Sequence, residues 1–348
     1  FMSANLTMKD IAQALGLSVS TVSRALNDSP SISKEVGERV RAYAKEHHFT
    51  INRIAVNLRQ THADHPRVIG VIVPELAHFF FSSIMTGVIE AASERGYYVM
   101  VAHSGEHYTR EKEICEQFDG SRVCGVIVSL AKDTPTYNYD HFRMLQERGI
   151  PLVFCDRICT GIEASRVVVD DYQGAFNAVS HLIATGCRRI AFYGMNSNLE
   201  IQKNRYNGYR DALLQAGLTP DPELSLYADT REKAEGITPG IMNRDCPPDA
   251  FFAVNDDTAI GILYAVKRMG LRIPDDVAIC GFTNGPQAVS SDPMLTTVEQ
   301  RGREVGRQAA MIVIDKVEGR SPIAQIERRV VKTRLVERGT THKAPTSI

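Results

Sequence analysis

From Arg67 onward the chain repeats one pattern: a short unbroken apolar run, then an amphipathic helical stretch, then another apolar run. Val68-Ile69-Gly70-Val71-Ile72-Val73, Tyr98-Val99-Met100-Val101-Ala102, Val123-Cys124-Gly125-Val126-Ile127-Val128 and Leu152-Val153-Phe154 form a first series. Val167-Val168-Val169, Ile190-Ala191-Phe192-Tyr193, Ala250-Phe251-Phe252-Ala253-Val254 and Val277-Ala278-Ile279-Cys280 form a second. A strand that is apolar on both faces must be covered on both faces, and helices between such strands supply the cover. Two series predict an α/β core of two Rossmann-like subdomains, with a ligand cleft at the carboxyl ends of the strands.

Composition narrows the function. The 348 residues suit two or three domains at ~100–200 residues each. Seven scattered cysteines, an odd number, do not make a disulfide framework. No apolar run reaches the ~18–20 residues of a membrane span, and no leader precedes Thr7, so the expectation is a cytoplasmic protein without a membrane partner. Neither G-x-G-x-x-G after a strand nor a Walker-type loop is present, and no cofactor is expected. Cys155 and Cys159 lack a second pair, so no metal site is expected, and His103 and His107 read as loop surface. Asp156, Asp170 and Asp171 could make a glycosidase pair, but Asp170-Asp171 reads more simply as a helix N-cap before Tyr172. No nucleophile elbow is present, and the chain is not expected to be an enzyme.

The first 65 residues read differently. They carry eight basic against six acidic side chains, a small positive bias within a net charge of −1. Thr7-Met8-Lys9-Asp10 is a capping box, with Ile11, Ala14 and Leu15 following on one helical face. Gly16 breaks that helix, and Ser18 caps a second over 19–26, with Val22, Ala25 and Leu26 inward. Ser33 caps a third, whose Val36, Val40, Tyr43, Ala44 and His47 recur at helical spacing. A three-residue turn between the first two helices makes a helix-turn-helix. Its second helix would present Val19, Ser20 and Arg24 to a major groove. Arg24 can fork two hydrogen bonds to guanine, Ser20 can donate or accept, and Val19 can touch a thymine methyl. A plain three-helix bundle has the same periodicity, and the pattern alone leaves both open.

Thr7-Met8-Lys9-Asp10-Ile11-Ala12 followed by Ser20-Thr21-Val22-Ser23-Arg24-Ala25-Leu26-Asn27 resembles the DNA-binding headpiece of LacI/GalR-type bacterial transcription regulators. The resemblance runs from Thr7 to Gly339. It implies a headpiece over 7–50, a hinge helix and linker over 51–66, an effector-binding core over 67–339 and a flexible tail over 340–348. Thr7, Val19, Ser20, Thr21, Ser23, Arg24 and Asn27 would then face a palindromic double-stranded operator, read by a homodimer. In the hinge segment, Asn52 and Ala55 would approach the DNA. Leu58 would wedge into the minor groove, unstacking a base step and kinking the duplex. Phe49 and Ile51 stand where the family usually has Tyr and Pro.

The core resembles the same family, which shares its fold with periplasmic sugar-binding proteins. The matching stretches include Val73-Pro74, Phe80-Phe81, Cys155-Asp156-Arg157, Asp171-Tyr172-Gln173-Gly174-Ala175, Arg205-Tyr206-Asn207-Gly208-Tyr209, Asn255-Asp256, Gly281-Phe282 and Leu295-Thr296-Thr297-Val298. An N-subdomain of about 67–168 and 299–325 and a C-subdomain of about 169–298 and 326–339 follow from it. The resemblance lines the cleft with His78, Phe80, Asp156, Arg157, Arg205, Arg231, Asn255, Thr283 and Gln300. His78-Phe79 replaces a common Asn-Pro, Thr283-Asn284 replaces two common acids, and Arg231 stands where an aromatic is common.

These readings converge on a ligand-responsive transcription factor that represses carbohydrate-use genes. A solute-binding protein for sugar transport is the rival, disfavoured by the headpiece and the missing leader. With Arg157, Arg205 and Arg231 set against Asp156 alone, the expected effector is a carbohydrate of acidic type, such as a uronate or a sugar phosphate.

Overall fold

The structure, a computed structural model, describes residues 6–26, 29–47, 49 and 67–342. The chain divides into two compact units, residues 1–66 and 67–348.

In the first unit, α1 (Met8–Leu15), α2 (Val19–Leu26) and α3 (Lys34–Glu46) share one small core. The Thr7 hydroxyl accepts from the Asp10 amide and the Asp10 carboxylate accepts the Thr7 amide, at 3.3 and 2.8 Å, which closes the capping box. Ala14, expected on the inner face, is exposed. Met8, Ile11, Ala12 and Leu15 face inward instead, because they follow the i, i+3, i+4, i+7 spacing of a single stripe. Gly16 ends α1 in the left-handed region, φ 66°, where a Cβ would be strained. Arg39 and Arg41 on α3 donate to the Leu15 and Ala25 carbonyls, satisfying acceptors that the ends of α1 and α2 leave open.

The second unit holds two six-stranded sheets. The first alternates β1 (Val68–Val73), α4 (Phe79–Glu94), β2 (Tyr98–His103), α5 (Tyr108–Gly120), β3 (Gly125–Val128), α6 (Asp140–Glu147), β4 (Leu152–Cys155) and β5 (Ser165–Val169). The second alternates α7 (Asp171–Ala184), β6 (Ile190–Gly194), α8 (Glu200–Gln215), β7 (Ser225–Tyr227), α9 (Arg231–Met242), β8 (Ala250–Ala253), α10 (Asp256–Arg268) and β9 (Ala278–Thr283). Then follow α11 (Pro286–Ser290), β10 (Thr296–Glu299), α12 (Gly302–Val317), β11 (Arg328–Val331) and β12 (Arg334–Val336). The sheet orders are β11-β5-β4-β3-β1-β2 and β12-β10-β9-β8-β6-β7, parallel except for β12. Both reverse direction beside their first strand, the switch point at which open α/β sheets form a crevice.

The unbroken apolar runs are explained by cover on both faces. Ile69, Val71 and Val73 pack under α4 and α12, while Ile72 packs under α5 and α6. Gly70 makes room for Phe118, whose ring would lie 2.6 Å from an added Cβ.

The chain crosses between the sheets three times: after β5, between β10 and α12, and between β11 and β12. The third crossing corrects the expected boundary at 326. Residues 328–331 belong to the first sheet, because Val330 pairs with Val168 and Val331 is buried against its core. The tail expected from 340 is likewise ordered at its start. Thr340 is fully buried, donates to the Ile279 carbonyl at 2.6 Å and accepts the Thr296 amide at 2.8 Å.

Helices α4 and α12 approach without side chains between them at Gly87 and Gly306. A Cβ on Gly306 would lie 1.9 Å from the Ile84 carbonyl oxygen. Alanine is the better helix former by ~1 kcal/mol, but backbone cannot yield as a side chain does. Gly306→Ala is expected to lower stability by about 1–3 kcal/mol or more in urea unfolding. An unchanged midpoint would mean that the two helices part freely.

Candidate functional site

The first unit presents one helix outward. Val22 and Ala25 anchor α2 in the core, while Val19, Ser20 and Arg24 are exposed on it and Thr21 and Ser23 are half-buried. The Ser18 hydroxyl accepts the Thr21 amide at 3.1 Å and lies 2.8 Å from both the Ser20 and Thr21 hydroxyls, so the start of α2 carries a row of hydroxyls. Arg24 spends its Nε on the Ser20 carbonyl at 3.2 Å, which aligns the side chain along the helix. Thr7 is exposed at the start of α1. Asn27, Asn52, Ala55 and Leu58, together with the expected hinge helix, lie outside the described residues.

In the second unit the strand carboxyl ends enclose a cavity of about 290 Å³. Eight of the nine residues expected there line it: His78, Phe80, Asp156, Arg157, Arg205, Asn255, Thr283 and Gln300. His78 caps α4, its Nδ1 accepting the Phe80 amide at 3.3 Å. Burial lowers its pKa, so the ring is neutral and its proton sits on Nε2. Asn255 caps α10, its Oδ1 accepting the Thr258 amide at 2.8 Å. Thr283 donates to Gln300 at 3.1 Å across the β9 and β10 ends.

Each cleft arginine has a carboxylate. Arg157 Nη1 donates to Glu106 at 2.7 and 2.9 Å, and its guanidinium lies 5.2 Å from the Phe81 ring centre. Arg205 donates to Asp171 through Nε and Nη2, at 2.8 and 2.7 Å, and to the Val254 carbonyl, over Phe282 at 3.9 Å. Asp171 was expected to share a cap with Asp170. Asp170 alone caps α7, and Asp171 turns inward because Arg205 is there to meet it. Among the residues that line the cavity, two side-chain polar atoms are buried without a partner: Asp156 Oδ1 and Arg157 Nε. Burial first, then the neighbouring Asp171, push the Asp156 pKa up to about 7.

Arg231 does not reach the cavity. It opens α9 and lies over the exposed Tyr264 ring at 5.7 Å. The excess of arginines that pointed to an acidic effector is therefore not there. Glu75, Glu106, Asp156 and Asp229 line the cavity together with Lys132, Arg157, Arg205 and Lys233, four acidic and four basic side chains. Glu75, Glu106, Lys132 and Asp229 were missed by motif matching. Each follows the carboxyl end of β1, β2, β3 or β7, a position that the switch-point rule alone would have marked. Lys132 and Lys233 both bind the Asp229 carboxylate. Burial opposes its ionisation, but those hydrogen bonds hold its pKa below the usual range.

Among the described residues no cluster of His, Cys, Asp or Glu could hold a metal, and no helix is long and apolar enough to cross a membrane.

A helix-turn-helix unit joined to a two-sheet core with a polar cleft defines a ligand-responsive DNA-binding protein. Residues 7–52 match the bacterial regulatory proteins of the lacI family, and residues 179–341 match the periplasmic binding protein-like domain. The HTH-type transcriptional regulator CelR of Thermobifida fusca is 31% identical over 342 residues, 95% of this chain and 97% of its own. The HTH-type transcriptional repressor CytR of Escherichia coli K12 is 29% identical over 340 residues, 97% of each. A solved CelR-cellobiose complex superposes with a TM-score of 0.72 at 28% identity, over 96% of this chain and 99% of that one. The lac repressor dimer bound to operator shares the fold, with a TM-score of 0.82 at 23% identity over 97% and 99%. This chain belongs to the LacI family of bacterial transcriptional regulators.

The cleft carboxyl group makes a prediction. A carboxyl whose folded pKa lies above its unfolded value of ~3.9 loses folded stability as pH rises through the folded pKa. Asp156→Asn stays neutral, so its advantage in melting temperature should grow between pH 4.5 and 7 and level off above. Each kcal/mol is worth about 2–4 °C in a domain of this size. A gap that is constant with pH would mean that Asp156 is ionised throughout.

Proposed function

We propose that this protein represses carbohydrate-use genes by binding a palindromic operator as a homodimer. A small neutral sugar bound between the two subdomains sets whether it does so. The observation that carries the effector assignment is the pair of orphaned polar atoms, Asp156 Oδ1 and Arg157 Nε, beside the buried Phe80 in a cavity with balanced charge. Carboxylate and guanidinium groups fix sugar hydroxyls, and the ring of Phe80 offers an apolar edge to a sugar face. An acidic ligand would meet the carboxylates of Glu75, Glu106 and Asp229 and only cations that are already paired. The relative solved with cellobiose, and one named for a ribose operon, support a sugar. The headpiece speaks against a transport protein. The reading places the protein in the cytoplasm, where its operator is.

A thermal-shift series with ribose, glucose, galactose, cellobiose, glucuronate and glucose 6-phosphate tests the effector. A ligand at 100 times its Kd adds about 2.7 kcal/mol, a shift of several degrees. Shifts by the acidic members alone would overturn the neutral-sugar reading.

On the DNA side, the exposed fork of Arg24 predicts that Arg24→Ala weakens operator binding by about 1–3 kcal/mol and relaxes one position of the site. A binding-site selection that returns the same preference for both proteins would remove Arg24 from base readout. The hinge assignment predicts that Leu58→Ala loses operator bending and specific affinity while effector affinity stays unchanged. Circular-permutation gel shifts read the bend, and an equal bend in both proteins would contradict the wedge.

A further inference from the structure

A second cavity, of about 310 Å³, adjoins the first. It too is lined from both subdomains. Lys132 and Thr136 follow β3 and Thr160 follows β4 on one side, while Asn198 precedes α8 and Lys203 lies in its first turn on the other. It is therefore a continuation of the same cleft along the strand ends. Lys132 lines both cavities, and its tether to Asp229 stands at their junction.

The two chambers differ in chemistry. The inner one is lined in part by the buried Phe80, Asp156, Arg157 and Arg205 and holds the orphaned Asp156 and Arg157 atoms. The outer one offers the hydroxyls of Thr136 and Thr160 and the amide of Asn198, all exposed and none engaged in a side-chain hydrogen bond. Ile158 and Leu199 supply apolar surface beside them. Each chamber alone sits at the small end of the ~300–1,000 Å³ typical of small-molecule sites. A monosaccharide would use one and leave the polar groups of the other to water.

We infer that the effector is a sugar of at least two rings. One ring occupies the inner chamber, the glycosidic link passes Lys132, and the next ring meets Thr136, Thr160 and Asn198. This rests on reading the cleft as a sugar site, and the test separates the two claims. Calorimetry on the full chain compares glucose with cellobiose and maltose, galactose with lactose, and xylose with xylobiose. Thr160→Trp and Asn198→Trp fill the outer chamber from exposed loop positions, and circular dichroism checks that each variant folds. For at least one pair, the disaccharide should bind wild type at least 10-fold more tightly than its monosaccharide. Both variants should close that gap and leave monosaccharide affinity within about twofold. Monosaccharides that bind as tightly as their dimers, or a gap that survives both variants, would overturn the two-ring inference and leave the sugar reading intact. Failure of every sugar to bind would overturn both.

Discussion

Three backbone crossings hold the two sheets of the core together, and most of the cleft follows from them. The chain leaves the first sheet after Val169, returns to it after Glu299, and leaves it again between Val331 and Arg334. Parallel strands in each half end on the same side, so the loops after β1, β2, β3, β4, β6, β7, β8 and β9 all open into the space between. The strain is concentrated there. Asp156, Asn284 and Arg301 hold left-handed backbone, at φ 60°, 62° and 57°, although none is glycine. Each costs on the order of 1–3 kcal/mol and persists only where the surroundings over-determine it. Asp156 is fixed by its amide on the Val167 carbonyl, at 3.0 Å, and by burial on all sides.

The same constraint explains why arginine suits position 205. The residue must satisfy the Asp171 carboxylate just past the first crossing and the Val254 carbonyl at the end of β8, over the face of Phe282. A planar fork with several donors does this, and an ammonium group on a flexible stem does not. A buried ion pair of this kind adds little net stability, because desolvation offsets the attraction. It fixes where the start of α7 stands against the second sheet. Breaking it by removing one partner would leave a buried charge uncompensated.

The sequence carried the strands whose cores are apolar on both faces, since Ile69 to Val73 and Ala250 to Ala253 have only one way to be covered. It did not carry β7, β10, β11 and β12. Ser225-Leu226-Tyr227 is a half-exposed edge, Thr296-Thr297-Val298-Glu299 hides its hydroxyls in hydrogen bonds, and Arg328 and Arg334 give their strands the appearance of surface loop. Cleft residues carried by a motif, such as Asp156-Arg157 and Arg205, were legible. Arg231, expected in the cleft where an aromatic is common, lies over Tyr264 instead. Glu106 and Lys132 were marked only by their places after β2 and β3, and what they pair with was not legible: their partners, Arg157 and Asp229, lie 51 and 97 residues away, and only the fold brings them together.

These partners bear on how a ligand could act at a distance. Lys132 and Asp229 belong to different subdomains, so opening the cleft separates them, whereas Lys233 stays with Asp229 one helical turn away. The carboxylate thus keeps a cation in an open state, and the cross-cleft pair, partly exposed, contributes only ~0.2–1 kcal/mol to closure. That is too little to hold one state. Converting a 1:99 mixture of states to 99:1 takes about 5.5 kcal/mol of preferential binding. Charge-assisted hydrogen bonds to a buried carboxylate and guanidinium are worth ~1.5–3 kcal/mol each. Asp156 and Arg157, both on the first subdomain, can contribute to that preference only if the same ligand also engages the second. A ligand held by one subdomain binds open and closed states alike and shifts nothing, however tightly it binds. Affinity therefore has to be divided across the cleft, and by linkage any change the ligand makes in DNA binding is returned by DNA as an equal change in ligand affinity.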